Sequence, residues 1–300
     1  MSAPIHRNLS SIPDDHPMGR LVAPLIAAQK GIQTRMHGTA FIIAPELALT
    51  AQHVVVDYLE WIQGEPISEK LQSGGQHAGQ MTFSMFLLLT LRDGRQVPLT
   101  VARMYGSHPG DITLLRLSKP DGFEWAELAP YPVLRLVPPN EGDHITALGY
   151  PDSSTNHRPD GVIELHTWPR ITSGTVQQVH GMRRDSCVLN YPCLHVNASF
   201  QGGMSGGPVL DEVGRVCGVV STSYDLMDQG DPIAYSASLW PACRIALPDI
   251  PRIQNDNCRL FDLMKRGRVA TSDIAKVTAG FTHDGRMQVS ISDPNYQGDA

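Results

Sequence analysis

Residues 202–209, Gly-Gly-Met-Ser-Gly-Gly-Pro-Val, set one serine in a glycine-rich turn that runs straight into an apolar strand. Glycines on both sides let main-chain N–H groups approach a carbonyl with no Cβ in the way. The amides of Gly203 and Ser205 are therefore candidate donors to an oxygen that gains charge as Ser205 attacks its carbon, an oxyanion hole in chemical terms. A tight β-turn is the alternative reading. It explains two glycines and leaves a serine among four unexplained.

A serine hydroxyl is a weak nucleophile at neutral pH and needs a base within hydrogen-bond reach. Of the chain's 12 histidines, His53 stands out, in Leu-Thr-Ala-Gln-His-Val-Val (49–55), directly after the apolar run Leu-Ala-Leu-Thr. Taken singly, any histidine also reads as a surface or satisfied core residue. A working imidazole needs a buried acceptor on its other nitrogen to fix its tautomer. Asp111 opens Asp-Ile-Thr-Leu-Leu-Arg-Leu (111–117), an acid at the head of a strongly apolar strand. An aspartate there also serves as a turn former.

Outward from these three, short β-branched or apolar runs alternate with Gly, Pro and Asp turn signals. Before residue 130 they are LVAPLIAA (21–28), HGTAFIIA (37–44), LALT (47–50), TFSMFLLLT (82–90), VPLTVARMY (97–105) and DITLLRL (111–117). After the proline-rich PYPVLRLVPPN (130–140) come HITALGY (144–150), VIELHTW (162–168), ITSGTVQQVH (171–180), SCVLN (186–190), GGPVLD (206–211), RVCGVVSTSY (215–224) and PIAYSASL (232–239). This spacing predicts an all-β sandwich or barrel architecture in two sets of about six strands. The expected divisions are an N-terminal arm over 1–20, a first barrel over 21–135, a second over 136–248, and a C-terminal helix and tail over 249–300. The arm is polar and proline-bearing, and reads as disordered or wrapping. NCRLFDLMKR (257–266) puts Leu260, Phe261, Leu263 and Met264 near one helical face, as in a short helix docked on the body. After Thr271 a strand pair or a loose tail is expected.

The blocks LTAQHV, GDITLLRL and GGMSGGPV resemble, in that order, the histidine, aspartate and serine blocks of the chymotrypsin/trypsin-like serine proteases. HGTAFIIAPELALT is similar to the strand pair that leads to their histidine, and the resemblance covers roughly Leu21 to Leu247. It implies two six-stranded antiparallel β-barrels with a cleft between them, His53 and Asp111 coming from the first and Ser205 from the second. The implied chemistry is endopeptidase hydrolysis through an acyl-enzyme, with no cofactor and no metal. It further implies that Ser221, Thr222 and Ser223 lie on the strand that pairs with substrate backbone, Ser221 also supporting the aspartate. Ser199 takes the position of the pocket floor, and Ile233 and Phe200 would shorten the pocket, so a small or medium uncharged residue is expected before the scissile bond. Ser199 leaves a buried cation without a counter-charge, which disfavours Arg and Lys.

The departures carry information too. Met204 stands where secreted trypsins carry an acid that pairs with a newly cut N-terminus, and cannot form that ion pair. Val54 and Gln201 stand where secreted relatives have cysteines. Five cysteines in 300 residues show no metal-ligand or redox-motif spacing, which suits a reducing compartment. No apolar stretch reaches the roughly 20 residues of a bilayer span, and the first twenty residues hold no signal core, so a cytoplasmic site is expected. The net charge of −6 with no long basic run argues against nucleic-acid and anionic-membrane partners. The expected partners are a specific protein substrate and a regulatory protein, the arm, Trp61–Gln80 and the C-terminal helix being the segments left over for restraint. The rival reading is a latent or inactive scaffold with a protease fold. His157, His166, His180 and His195 lack the i, i+4 spacing of a zinc site, and Asn197-Ala198-Ser199 fits a pocket wall as well as a glycosylation pattern.

Overall fold

The computed structural model describes residues 9–29, 33–63, 83–106, 110–160, 162–224, 232–248, 258–283 and 287–293. A two-residue strand, Ser10–Ser11 (β1), precedes the first barrel, made of Val22–Gln29 (β2), Gln33–Ala44 (β3), Leu47–Thr50 (β4), Phe83–Thr90 (β5), Gln96–Gly106 (β6) and Thr113–Ser118 (β7). These close antiparallel in the order β2-β3-β4-β7-β6-β5. Closure abolishes the free sheet edges that runs such as FLLL would otherwise expose. β4 is buried along its whole length and β6 alternates at its start, with Val97 and Leu99 facing inward.

The second barrel comprises His144–Gly149 (β8), Arg170–His180 (β11), Cys193–Val196 (β12), Pro208–Asp211 (β13), Val216–Tyr224 (β14) and Ile233–Ser238 (β15). Its order is β8-β11-β12-β15-β14-β13, and β13 returns to β8. Both barrels and their strand number match the expectation from sequence, and two strand assignments do not. VIELHTW leaves the barrel: Ser154–His157 (β9) and Ile163–His166 (β10) form a separate hairpin that reaches β3 through His157 and Thr155, both bonded to the main chain of Thr34. SCVLN is a turn, because Asp185 Oδ1 accepts the amides of Cys187, Val188 and Leu189 at 2.7–3.0 Å and so takes the donors that a ladder would need. The barrel strand is the next run, Cys193–Val196.

The arm wraps. Ser10 and Ser11 pair with Ile171 and Arg170, adding β1 to the second barrel's β11, and Met18 is buried. The proline-rich connection is also docked, with Leu134 and Leu136 each 1% exposed and Asp273 accepting the amides of Leu136 and Val137. Gln52–Gln63 (α1) was not anticipated. Its signal is present but masked by the β-branched run Val54–Val56: Ala51, Val54, Val55 and Tyr58 follow the i, i+3, i+4, i+7 spacing and are all buried. The stretch expected as a loop from Trp61 begins inside this helix, and 64–80 lies outside the described residues.

Leu260–Lys265 (α2) is shorter than the expected 257–266 and buries all four apolar side chains named from sequence. A six-residue helix is not stable alone; docking supplies about 1.5–3 kcal/mol for each fully buried side chain. The tail forms the hairpin Val277–Phe281 (β16) and Met287–Ile291 (β17). The five cysteines are unbridged, Cys187 exposed and the other four buried. Among the described residues no helix is long and apolar enough to cross a membrane.

Candidate active site

Thr50 pairs with Thr113, so β4 ends where β7 begins, at one rim of the first barrel. His53, in the first turn of α1, and Asp111, just ahead of β7, meet across that register. His53 N donates to Asp111 Oδ1 at 2.9 Å, and His53 Nδ1 lies 2.8 Å from Oδ2. An ionised carboxylate can only accept, so Nδ1 carries the proton and Nε2 is left as a free base. Burial is the largest single influence on His53 and opposes its charge. The Asp111 charge, the hydrogen bond to it and the charge of Asp57 outweigh burial, and the net pKa is raised above the ordinary 6.5.

Asp111, 6% exposed, gains a further donor from the other barrel. Ser221 Oγ donates to Oδ2 at 2.6 Å. Ser221 sits at the register shift of β14 against β15 between Val220 and Thr222, and such a bulge re-aims a side chain. Tyr191 Oη in turn lies 2.6 Å from Ser221 Oγ.

The serine loop is held from both sides. Within its own barrel, Gly206 N donates to Val220 O and Val220 N to Gly207 O, each at 2.8 Å. Met204 is fully buried in the second barrel's core, where a charge would be costly. From the facing barrel, Thr39 N donates to Ser205 O at 2.9 Å. Its hydroxyl donates to Gly203 O at 2.7 Å and accepts Tyr150 N at 3.0 Å. Gly206 has φ +88° and a Cβ there would strike Thr39 O; at Gly203, φ +91°, it would lie 2.5 Å from Tyr150 O. Sequence reasoning missed Thr39 and Tyr191. Thr39 had a signal, a lone hydroxyl in the otherwise apolar run Thr39–Ala44, whereas Tyr191 had none.

Among the described residues, the N–H groups of Gly203 and Ser205 have no hydrogen-bond partner. Ser205 Oγ donates to Ser221 O at 3.1 Å and not to His53. The loop thus offers two unpaired donors beside a hydroxyl whose rotation is opposed by one long hydrogen bond.

The residues expected to bind substrate are spread along β12 to β15. Thr222 and Ser223 pair with Tyr235 and Ala234, and Ile233, half-buried, pairs with Tyr224. The β13 pairing of β14 stops at Val219, so Ser221–Tyr224 form a β14 edge without a strand partner on that side among the described residues. Ser199 is half-buried. Phe200 is 4% exposed within the second barrel's core, and its carbonyl accepts Ser223 Oγ at 2.7 Å. Among the described residues no group of three or more His, Cys, Asp or Glu could hold a metal ion.

The chain has partial similarity to several solved structures. The active form of the Rv3671c protease from M. tuberculosis has 18% identity and a TM-score of 0.44, covering 75% of this chain and 79% of that one. The HtrA-type protease AlgW with a decapeptide has 18% identity and a TM-score of 0.46, covering 76% and 64%. The MamO protease domain from Magnetospirillum magneticum, in its apo form, has 15% identity and a TM-score of 0.45, covering 75% and 94%. No curated protein matches the sequence. The family model described as the trypsin-like peptidase domain matches residues 38–219, a span from the strand ahead of His53 to the one that carries Ser221. By that match, which takes in more than half of the chain and all of His53, Asp111 and Ser205, this protein belongs to the trypsin-like peptidases.

Proposed function

We propose that the chain hydrolyses peptide bonds as an endopeptidase, with Ser205 as nucleophile, His53 as general base and acid, and Asp111 as the group that orients and charges the imidazole. The observation that carries this reading is the set of three hydrogen bonds on Asp111, which leaves His53 Nε2 as the acceptor. As Ser205 Oγ attacks the carbonyl carbon, Nε2 takes its proton and Asp111 stabilises the imidazolium. The Gly203 and Ser205 amides receive the oxyanion; a single such donor is worth about 10²–10³ in kcat. The imidazolium then protonates the leaving amine, and water repeats the sequence on the acyl-enzyme.

The hydrogen bond from Ser205 to Ser221 O fits into this scheme. A substrate strand added along Ser221–Ser223 brings an N–H to that carbonyl. It displaces the hydroxyl, which then turns toward His53. For specificity, Ser199 at the floor and Ile233 at the far wall favour a small or medium uncharged residue before the scissile bond. A dedicated protein substrate and a cytoplasmic site complete the proposal.

The test is labelling of the purified protein with a fluorophosphonate serine probe, compared with Ser205→Ala and His53→Ala. Labelling in the wild type and its loss in both variants is the expected result. A folded wild type that does not label would overturn the reading in favour of a latent or scaffold protein. A peptide library that yields cleavage after Arg or Lys would overturn the specificity.

A further inference from the structure

We propose that Tyr191 is a positioning residue of the active site, the outer member of a hydrogen-bond chain that runs Tyr191–Ser221–Asp111–His53. The inference rests on the peptidase reading above for its kinetic consequences, but not for its structural ones. Ser221 has a single hydroxyl proton, and the carboxylate 2.6 Å away accepts it because an ionised carboxylate cannot donate. The second contact of Ser221 Oγ, with Tyr191 Oη at 2.6 Å, must then run from the phenol to the serine. The direction of the chain is therefore fixed, from Tyr191 inward. Ser221 is 2% exposed and Tyr191 7%, so no bulk water replaces the phenol if it is removed.

Burial holds the phenol in its neutral, donating form, pushing its pKa far above the ordinary value. Hydrogen bonds in series polarise one another where the local dielectric is low. A phenol donating to Ser221 Oγ makes that O–H a stronger donor to Asp111 and draws charge from the carboxylate oxygen that also faces His53 Nδ1. Tyr191 thereby tempers the pull of Asp111 on the imidazole proton.

The segment between β11 and β12 is built to present this side chain. Leu189, 1% exposed, accepts the amides of Arg184 and Asp185 on its carbonyl. The Arg184 guanidinium lies 4.8 Å over the Tyr235 ring. The titratable groups that face His53 are Asp111 and Asp57; those that face Tyr191 are Asp111, Cys193 and Tyr224.

The experiment is an NMR titration of His53 in protein labelled with 15N-histidine, wild type against Tyr191→Phe, which removes one oxygen and keeps the ring. The expected result is an upward shift of the His53 pKa by about half a unit, and a change in the shift of the Nδ1 proton. Ser221→Ala removes the inner link and is expected to shift His53 the same way by more. In that background Tyr191→Phe should add nothing, since a residue acting through Ser221 has no path without it. Kinetics give the second readout. The acid limb of kcat/KM should move up with His53 and KM should stay, whereas a structural defect would lower activity at every pH. An unchanged His53 titration in Tyr191→Phe, or additive shifts in the double variant, would overturn the proposal. If the wild type cleaves nothing, the peptidase reading fails while the titration still decides the role of Tyr191. Should Tyr191→Phe not fold, an unshifted His53 in Ser221→Ala rejects the chain.

Discussion

The two barrels contribute to the site in unlike ways. The first supplies His53 and Asp111 from just beyond its strands, at the rim where β4 ends and β7 begins, and its core of Phe41, Ile42, Leu49, Leu87 and Leu114 closes without either of them. The second builds its Ser205 loop into its interior. Met204, next to Ser205, and Phe200, five residues before it, are both buried among Val196, Val209 and Val220. A substitution at the rim should therefore cost chemistry and spare the fold. One in the loop should cost both, because the loop is part of what fills the barrel.

The largest expected effect tests the rim. His53→Ala should lower kcat about 10⁴–10⁶-fold while the melting temperature moves by a few degrees at most; a large fall in melting temperature for His53→Ala would break the contrast. Gly206→Ala comes next. It forces φ +88° on a residue with a Cβ and drives that atom onto Thr39 O, so activity should fall at least about 100-fold and stability by about 3 kcal/mol, measured by kinetics and denaturant melts together. Met204→Ala leaves a void in the second core and should cost about 2–5 kcal/mol, with activity following stability; a stable but inactive variant would show the loop to be held from elsewhere. Thr39→Val removes the hydroxyl bond to Gly203 O and strands Tyr150 N, for about 1–3 kcal/mol, with kcat falling more than KM rises.

The smallest effect is in pH. The raised pKa of His53 places the acid limb of kcat/KM above 6.5, and Asp111→Asn, which removes the Asp111 charge and leaves only that of Asp57, should bring it down. Linkage has the matching sign. A histidine whose folded value is raised stabilises the fold in full below 6.5, and that contribution is lost as pH rises through the folded value. Calorimetry of wild type and His53→Ala over pH 6–9 reads the difference.

What could be read from the chain beforehand divides along the same line. His53, Asp111, Ser205 and the glycines around it were legible because each block couples a strand pattern to a chemically odd residue at its end. Strand existence was legible from alternation and turn residues. Strand identity failed at SCVLN, where one carboxylate, Asp185, outcompetes the ladder for three amides. Helix α1 was missed because Val54, Val55 and Val56 suggest strand and hide an amphipathic spacing. Thr39 and Tyr191 act through contacts at sequence separations that local pattern does not encode: 164 residues between Thr39 and Gly203, 30 between Tyr191 and Ser221.

The distribution of thiols has a practical consequence. Cys193, Cys217 and Cys243 are buried and held as thiols, their pKa pushed up to about 12 by burial, and Cys258 is buried and raised as well. Cys187 alone is exposed, and maleimides react with accessible thiolates. A single dye can thus be attached to the unmodified chain, four positions ahead of Tyr191, and its anisotropy would register any movement of that segment when a peptide fills the cleft.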